Sequence, residues 1–327
     1  MASILATQAF AADIAQSLWA ANEFLSHAKD DSQWVNYDKV NLPHAGTVPT
    51  VTKGALTTGI DNSALTKRTD AASQYSLAAL RTTPTWIEYN EAMVVNYNKR
   101  QSVLDEHKNA LIDALAVNVL HDWAAGGDSE GSGVPSIVDT SGGTRNVGLP
   151  TLGGGGAVTG TRKGVAYNDV LEVITTMNAH NIPAGGRYAI ISAEMFADLL
   201  KLSEFKSSDY VDRKPIPNAP LTFRWLGIDW YVRSFVASFS KHDPDAGTPV
   251  NGSLKAWNAA SAASDCGVGL FWHKDFVRKA KGGVEVFLNL RDASLQGDKL
   301  SALARYGAIG ARDDNKGIVT LVEHWVS

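Results

Sequence analysis

A chain of 327 residues with 44% apolar and 20% charged side chains can bury a sizeable core as one large or two ordinary domains, and its composition excludes general disorder. A net charge of −4, with its basic residues scattered, excludes a clustered cationic surface for gripping phosphates, and the single cysteine, Cys266, excludes an internal disulfide or a cysteine-based zinc cluster. No apolar stretch reaches the ~18 residues of a spanning helix, and no Lys or Arg precedes Lys29 to open a secretory signal, so the chain reads as made and kept in a cytoplasm.

Residues 4 to 26 are Ala-rich, with Ile4, Ala11, Ile14, Leu18, Ala21 and Leu25 at helical spacing, which predicts an amphipathic N-terminal arm. From Trp34 to about Trp86, Pro43, Pro49, Gly46, Gly54, Gly59 and many Thr and Ser replace helix formers, so this stretch reads as extended chain with turns. Two strands of ~20 residues would reach about 60 Å, more than a compact domain needs for its own core, which predicts a limb lying on something outside the protomer. Helix returns from about Tyr89 to Trp123, with Val103, Leu104, His107, Leu111, Leu115 and Val119 along one side, and stops at Gly126-Gly127. The Gly-, Ser- and Thr-rich stretch from about Gly126 to Gly164 reads as a long surface insertion or flexible loop.

A compact α/β unit follows: a helix capped by Asn168, a buried strand RYAII, and a second helix AEMFADLLKL capped by Ser192. LTFRWLG and IDWYVRS form a strand pair meeting near Gly227, and a polar loop runs from Lys241 to about Ser253. Three strands close the chain: GVGLFW, the alternating VEVFLNL, and GIVTLVEHWV. The charged stretch RDASLQGDKLSALARYGAIGARDD reads as a Gly-punctuated connection between two of them.

Few residues suggest chemistry. The run GGGG at 153 to 156 fits no GxGxxG register, and Lys163 is followed by Gly164 rather than Ser or Thr, against a phosphate loop. His107 and His121 share a helix face but lie about four turns, ~21 Å, apart, too far for one metal. Asp313-Asp314-Asn315 before Lys316-Gly317 reads as a tight turn, no GxSxG elbow is present, and Cys266 in DCGVGLF reads as an inert buried thiol. The pairs Lys67-Arg68 and Lys99-Arg100 read as solvated faces, and Asn251-Gly252-Ser253 carries little weight without a secretory signal. No catalytic, cofactor-binding or metal residue is expected.

The order of parts (Ala-rich arm, long extended limb, long helix, α/β unit, closing strands) resembles the HK97-like major capsid proteins of tailed bacteriophages. GGRYAIISAEMFADLLK and the pair GLFWHKDFVRKAKGG with RDASLQGDKLSALARYGAIGARDDNKGIV carry the resemblance locally. It implies an α+β fold with an N-terminal arm (1–33), an extended β-hairpin E-loop (34–86), a P-domain with a long spine helix and the Gly-rich loop (87–165), an α/β A-domain (166–280) and closing strands returning to the P-domain (281–327). The implied function is an icosahedral virion shell around double-stranded DNA, assembled in the host cytoplasm. Its implied partners are identical subunits in hexamers and pentamers, a separate scaffolding protein, a portal and a cement or decoration protein. The DNA would be enclosed without sequence-specific contacts, and no membrane is involved. Under this resemblance the scattered charges set register across protomer boundaries, and the candidate inter-subunit contacts are Lys53, Arg68, Arg81, Trp86, Arg291, Asp292, Asp298, Lys299 and Arg305. Lys53 and Lys67 lie in the expected limb, where a Lys forms an isopeptide bond in some relatives; no matching Asn or catalytic carboxylate is identifiable here, so a non-covalent shell is expected. An encapsulin-like compartment shell shares the fold, and a cytoplasmic α/β enzyme is the reading from a different class.

Overall fold

The computed structural model describes residues 2–44, 71–88, 99–124, 136–149, 158–206, 211–213, 222–245, 252–256, 259–294, 296–312 and 315–326. The chain opens with helix α1 (Ala2–Ala20), a 3₁₀ turn (Glu23–His27), and strands β1 (Lys29–Asp30), β2 (Val35–Asn36) and β3 (Lys39–His44). Next come β4 (Ala71–Ser76), β5 (Ala78–Arg81), β6 (Thr85–Glu88), the long helix α2 (Lys99–Trp123), β7 (Ile137–Asp139), β8 (Thr144–Leu149) and β9 (Val158–Lys163). Helix α3 (Tyr167–Ala179), β10 (Arg187–Ser192) and α4 (Ala193–Leu199) lead into β11 (Val211–Arg213), β12 (Thr222–Trp225), β13 (Ile228–Arg233) and β14 (Ser238–Phe239). Strands β15 (Cys266–His273), β16 (Val277–Asp292), β17 (Gly297–Gly310) and β18 (Ile318–Val322) complete the chain.

An eight-stranded sheet runs β11-β12-β13-β10-β15-β18-β7, with β14 on β15. Because side chains alternate across a strand, β10 and its neighbours serve two cores at once. Ala189, Ile191, Phe271 and Leu321 pack with Val170, Val173 and Met177 of α3 and with Met195 and Leu199 of α4. Ile190, Leu270, Trp272 and Ile318 face the other way, onto Leu111, Leu115 and Val119 of α2. Both faces being covered explains why every residue of β15 is buried and why it reads as an unbroken apolar run. The edge-on ring pairs Phe24–Trp123, at 6.2 Å, and Phe24–Trp272, at 6.4 Å, tie the N-terminal turn to both elements.

The second sheet, β1-β16-β17-β5 with β6 also on β17, is built around the long β16–β17 hairpin, which pairs from Val277↔Gly310 to Asp292↔Gly297. Its inner face, including Ala302, Ala304 and Tyr306, joins the core under α2. The Ala- and Gly-rich composition of β17 suits this, since small side chains let a helix approach a sheet closely. A third sheet, β2-β3-β4, pairs β3 with β4 from Lys39↔Ser76 to His44↔Ala71.

Several expectations need correction. The stretch read as a connection between closing strands is mostly strand β17; only its first residues, around Asp292 to Gln296, turn the chain. The Gly-rich region read as an insertion or flexible loop contains β7, which pairs with β18, and the β8–β9 hairpin, with Arg145 opposite Arg162. The GGGG run lies outside the described residues. Helix α3 begins at Tyr167, and its first turn is capped by Asp169, whose carboxylate accepts the Ala166 N–H at 2.7 Å, so Asn168 is not the cap. Ala21 is exposed beyond the end of α1. The Ser192 cap stands, accepting the Met195 N–H at 3.2 Å. Of the long helix, the described part runs Lys99–Trp123 and buries all six residues named for its apolar side; Tyr89 to Asn98 lie outside the described residues.

Candidate assembly surfaces

Lys53 and Arg68 lie outside the described residues. The other seven candidates gather on the β16–β17 hairpin and the strands beside it. On β5, Leu80 points inward and Arg81 outward, opposite Leu303; on β6, Ile87 points inward and Trp86 outward, opposite Lys299. Trp86 is 48% exposed and lies across Gly297, where a Cβ would meet the indole nitrogen. Phe287, 53% exposed on the same outward face, borders a groove that also takes in Arg81, Thr83, Glu285, Leu303 and Arg305. One sheet face therefore packs on α2 while the other presents aromatic and charged side chains.

The charges of this region are paired within the chain. Asp298 faces inward: one oxygen receives Arg100 from the first turn of α2, and the other accepts the Arg291 N–H at 2.9 Å, pinning the hairpin tip to the helix. Arg291 itself adopts a left-handed φ of 55°. Asp292 accepts the Ser294 N–H at 2.9 Å and its hydroxyl at 2.5 Å, and Lys299 Nζ lies 3.6 Å away; the Ser294 hydrogen bonds lower the Asp292 pKa. Arg305 Nη1 donates to both oxygens of Asp38, at 2.5 and 2.6 Å. Exposed pairs of this kind contribute about 0 to 1 kcal/mol each, so they set geometry more than stability.

Sequence reading missed a buried charge network. Arg145 contacts Glu323 and lies 3.2 Å from Asp198 and 3.4 Å from Glu194. Glu323, fully buried, also accepts the Gly267 N–H at 3.0 Å. Arg162, equally buried, donates to the backbone carbonyls of Asp265, Gly160 and Ala263. Burial pushes the Glu323 carboxyl up, while Arg145, the Gly267 N–H and Arg162 pull it down. The network clamps the β8–β9 hairpin to the large sheet. A carboxylate inside the apolar run TLVEHWV was the available signal, since a charge in such a run needs a buried partner.

Among the described residues no group of three or more His, Cys, Asp or Glu could hold a metal, and no helix is long and apolar enough to cross a membrane. Cys266 is buried, and burial raises its thiol pKa to about 12. His107 is also buried, its Nε2 has no hydrogen-bond partner among the described residues, and burial lowers its pKa, as it does for His27. The unfolded chain therefore binds more protons than the folded one as pH drops through the ordinary histidine range, so acid costs stability there. The melting temperature is expected to fall between about pH 7 and pH 5. The His107→Leu variant should melt no lower than the parent at neutral pH, having lost an unpartnered nitrogen worth ~1 kcal/mol, and should lose less on acidification. Equal losses in thermal melts across that range would contradict the assignment.

No family model matches the chain, and no curated protein matches it. Solved structures do. The capsid of the cyanophage P-SCSP1u aligns with a TM-score of 0.56 at 16% identity, covering 92% of this chain and 86% of that one. The capsid of Ralstonia phage GP4 aligns at 0.56 with 9% identity over 92% and 88% of the two chains. The capsid of an empty GTA particle aligns at 0.56 with 9% identity over 93% and 90%.

Proposed function

We propose, from the HK97-like capsid fold that this chain shares with those shells, that it is a major capsid protein whose copies build the icosahedral shell of a tailed phage around double-stranded DNA. The observation that carries this reading is coverage in both directions: more than nine-tenths of the chain aligns, and 86 to 90% of each of those three capsid chains is accounted for. The chemistry agrees. The polar groups on the β16–β17 hairpin are spread along one open sheet face and its shallow groove, as many weak contacts between neighbours require.

Identical subunits in hexamers and pentamers are its principal partners. A separate scaffolding protein, a portal and a cement or decoration protein complete the set, and the virion is its destination after assembly in the host cytoplasm. Residues 34–86 serve as the E-loop, α2 as the spine helix, and Arg81, Trp86, Arg291, Asp292, Lys299 and Arg305, with Lys53 and Arg68, as contacts between subunits. A net charge of −4 suits a wall that must let DNA be packed and released. Sedimentation of the expressed chain with and without its scaffold tests the reading. Particles of hundreds of subunits are expected; a monomer or small oligomer under all conditions would overturn it. A genome inside purified particles supports the phage shell, and a cargo enzyme instead would mean a compartment shell.

A further inference from the structure

The turn between β2 and β3 carries a residue that folding does not explain. Strands β2 and β3 pair as Val35↔Val40 and Asn36↔Lys39, leaving Tyr37 and Asp38 as the two turn residues, with φ of 45° and 63°. Turns with both central residues left-handed favour Asn-Gly, because a Cβ there costs roughly 1–2 kcal/mol. A bulky Tyr pays that cost while its side chain, 95% exposed, gains no burial. The turn is nevertheless held firmly: Arg305 grips the Asp38 carboxylate, and the Asp38 carbonyl accepts the Leu77 N–H at 2.8 Å. Trp34, three residues earlier, is 60% exposed. An aromatic protruding from a backbone turn that is already fixed is what a binding hot spot needs, since the backbone part of its ordering cost is met before contact.

The same chain offers a matching recess. A cleft of about 250 Å³ lies between the 3₁₀ turn and the β12–β13–β10 part of the large sheet. His27, stacked on Tyr188 at 4.0 Å, and Tyr231 form aromatic walls, while Glu23 and Asp229 offer carboxylate acceptors for a phenol O–H, with Arg224 also lining it. Tyr37, being exposed, does not fill the cleft of its own chain.

We propose that Tyr37 of one copy seats in this cleft of a neighbouring copy, a head-to-tail contact between two different patches. Such a contact closes into rings or extends into a lattice, whereas a patch meeting itself stops at a dimer. The inference rests on the shell reading and adds which surfaces meet.

Two variants of the full chain test it. Tyr37→Gly removes the ring and relieves the left-handed strain, so its protomer should melt at or above the parental temperature. Its threshold concentration for assembly should rise at least ~10-fold, the loss of about 1.4 kcal/mol per contact. A photo-reactive benzoylphenylalanine at position 37, irradiated in assembled particles, should form inter-chain adducts on peptides holding Glu23 to His27 or Arg224 to Tyr231. An unchanged threshold for Tyr37→Gly, or adducts confined to other peptides or to the same chain, would overturn the contact while leaving the shell intact. A parent chain that never forms particles would remove the shell reading and this contact with it.

Discussion

Deleting residues 45–65 is expected to abolish particle formation while leaving a soluble protomer with a cooperative melt. The described core is built from other parts of the chain: its largest cluster joins α1, α2 and both large sheets through residues such as Leu18, Leu115, Trp123, Trp272 and Tyr306. The deletion also lies between the paired strands β3 and β4, whose described register begins at His44↔Ala71, so the base of the limb keeps its pairing. Under the shell reading the missing reach is what one subunit lays on the next, and its loss removes contacts from every interface simultaneously. Trp86→Ala should act in the same direction with a smaller effect, raising the assembly threshold. Loss of the cooperative melt in the deletion would place the limb inside the protomer's own core.

The largest effect on stability is expected at Glu323. Replacing it with Leu leaves the Arg145 guanidinium, only 11% exposed, and the fully buried Arg162 without their shared counter-charge, and leaves the Gly267 N–H without its acceptor. Removing one partner of a buried ion pair typically costs about 3–5 kcal/mol, which for a chain of this size lowers the melting temperature by on the order of 10 °C. The reverse holds on the surface: Arg305→Ala, which breaks the exposed pair with Asp38, should change protomer stability by less than about 1 kcal/mol. Thermal melts of both variants check the contrast, and a Glu323→Leu protein melting within about 2 °C of the parent would contradict the clamp.

What the sequence reveals depends on how local the governing physics is. The Ser192 cap, the two-residue turn at Leu226-Gly227 (φ 51° and 77°) and the continuous apolar run of β15 are decided by neighbours within a few residues, and each was legible. Strand β17 was not, because Ala, Ser and Gly carry little strand propensity; yet Leu300, Ala302, Ala304 and Tyr306 alternate on the buried face, the period-2 signal that charge and glycine obscured. The glycines of the β8–β9 region misled for a related reason. At Gly160 a Cβ would run into the Ala263 carbonyl, and at Gly142 into that of Gly164, so close backbone approach, and not a loop's freedom, accounts for them. The hairpin's charges were legible as a group, but their partners were not: Asp298 with Arg100 and Arg305 with Asp38 are joined across 198 and 267 residues of chain.

Cryo-electron microscopy of the assembled chain tests the central claim most directly. A closed shell with five-fold and six-fold capsomers is expected, in which the limb between β3 and β4, residues 45 to 70, of each subunit lies across a neighbour. A discrete protein of one or a few chains, with that segment folded back around a solvent-accessible pocket of its own protomer, would contradict it.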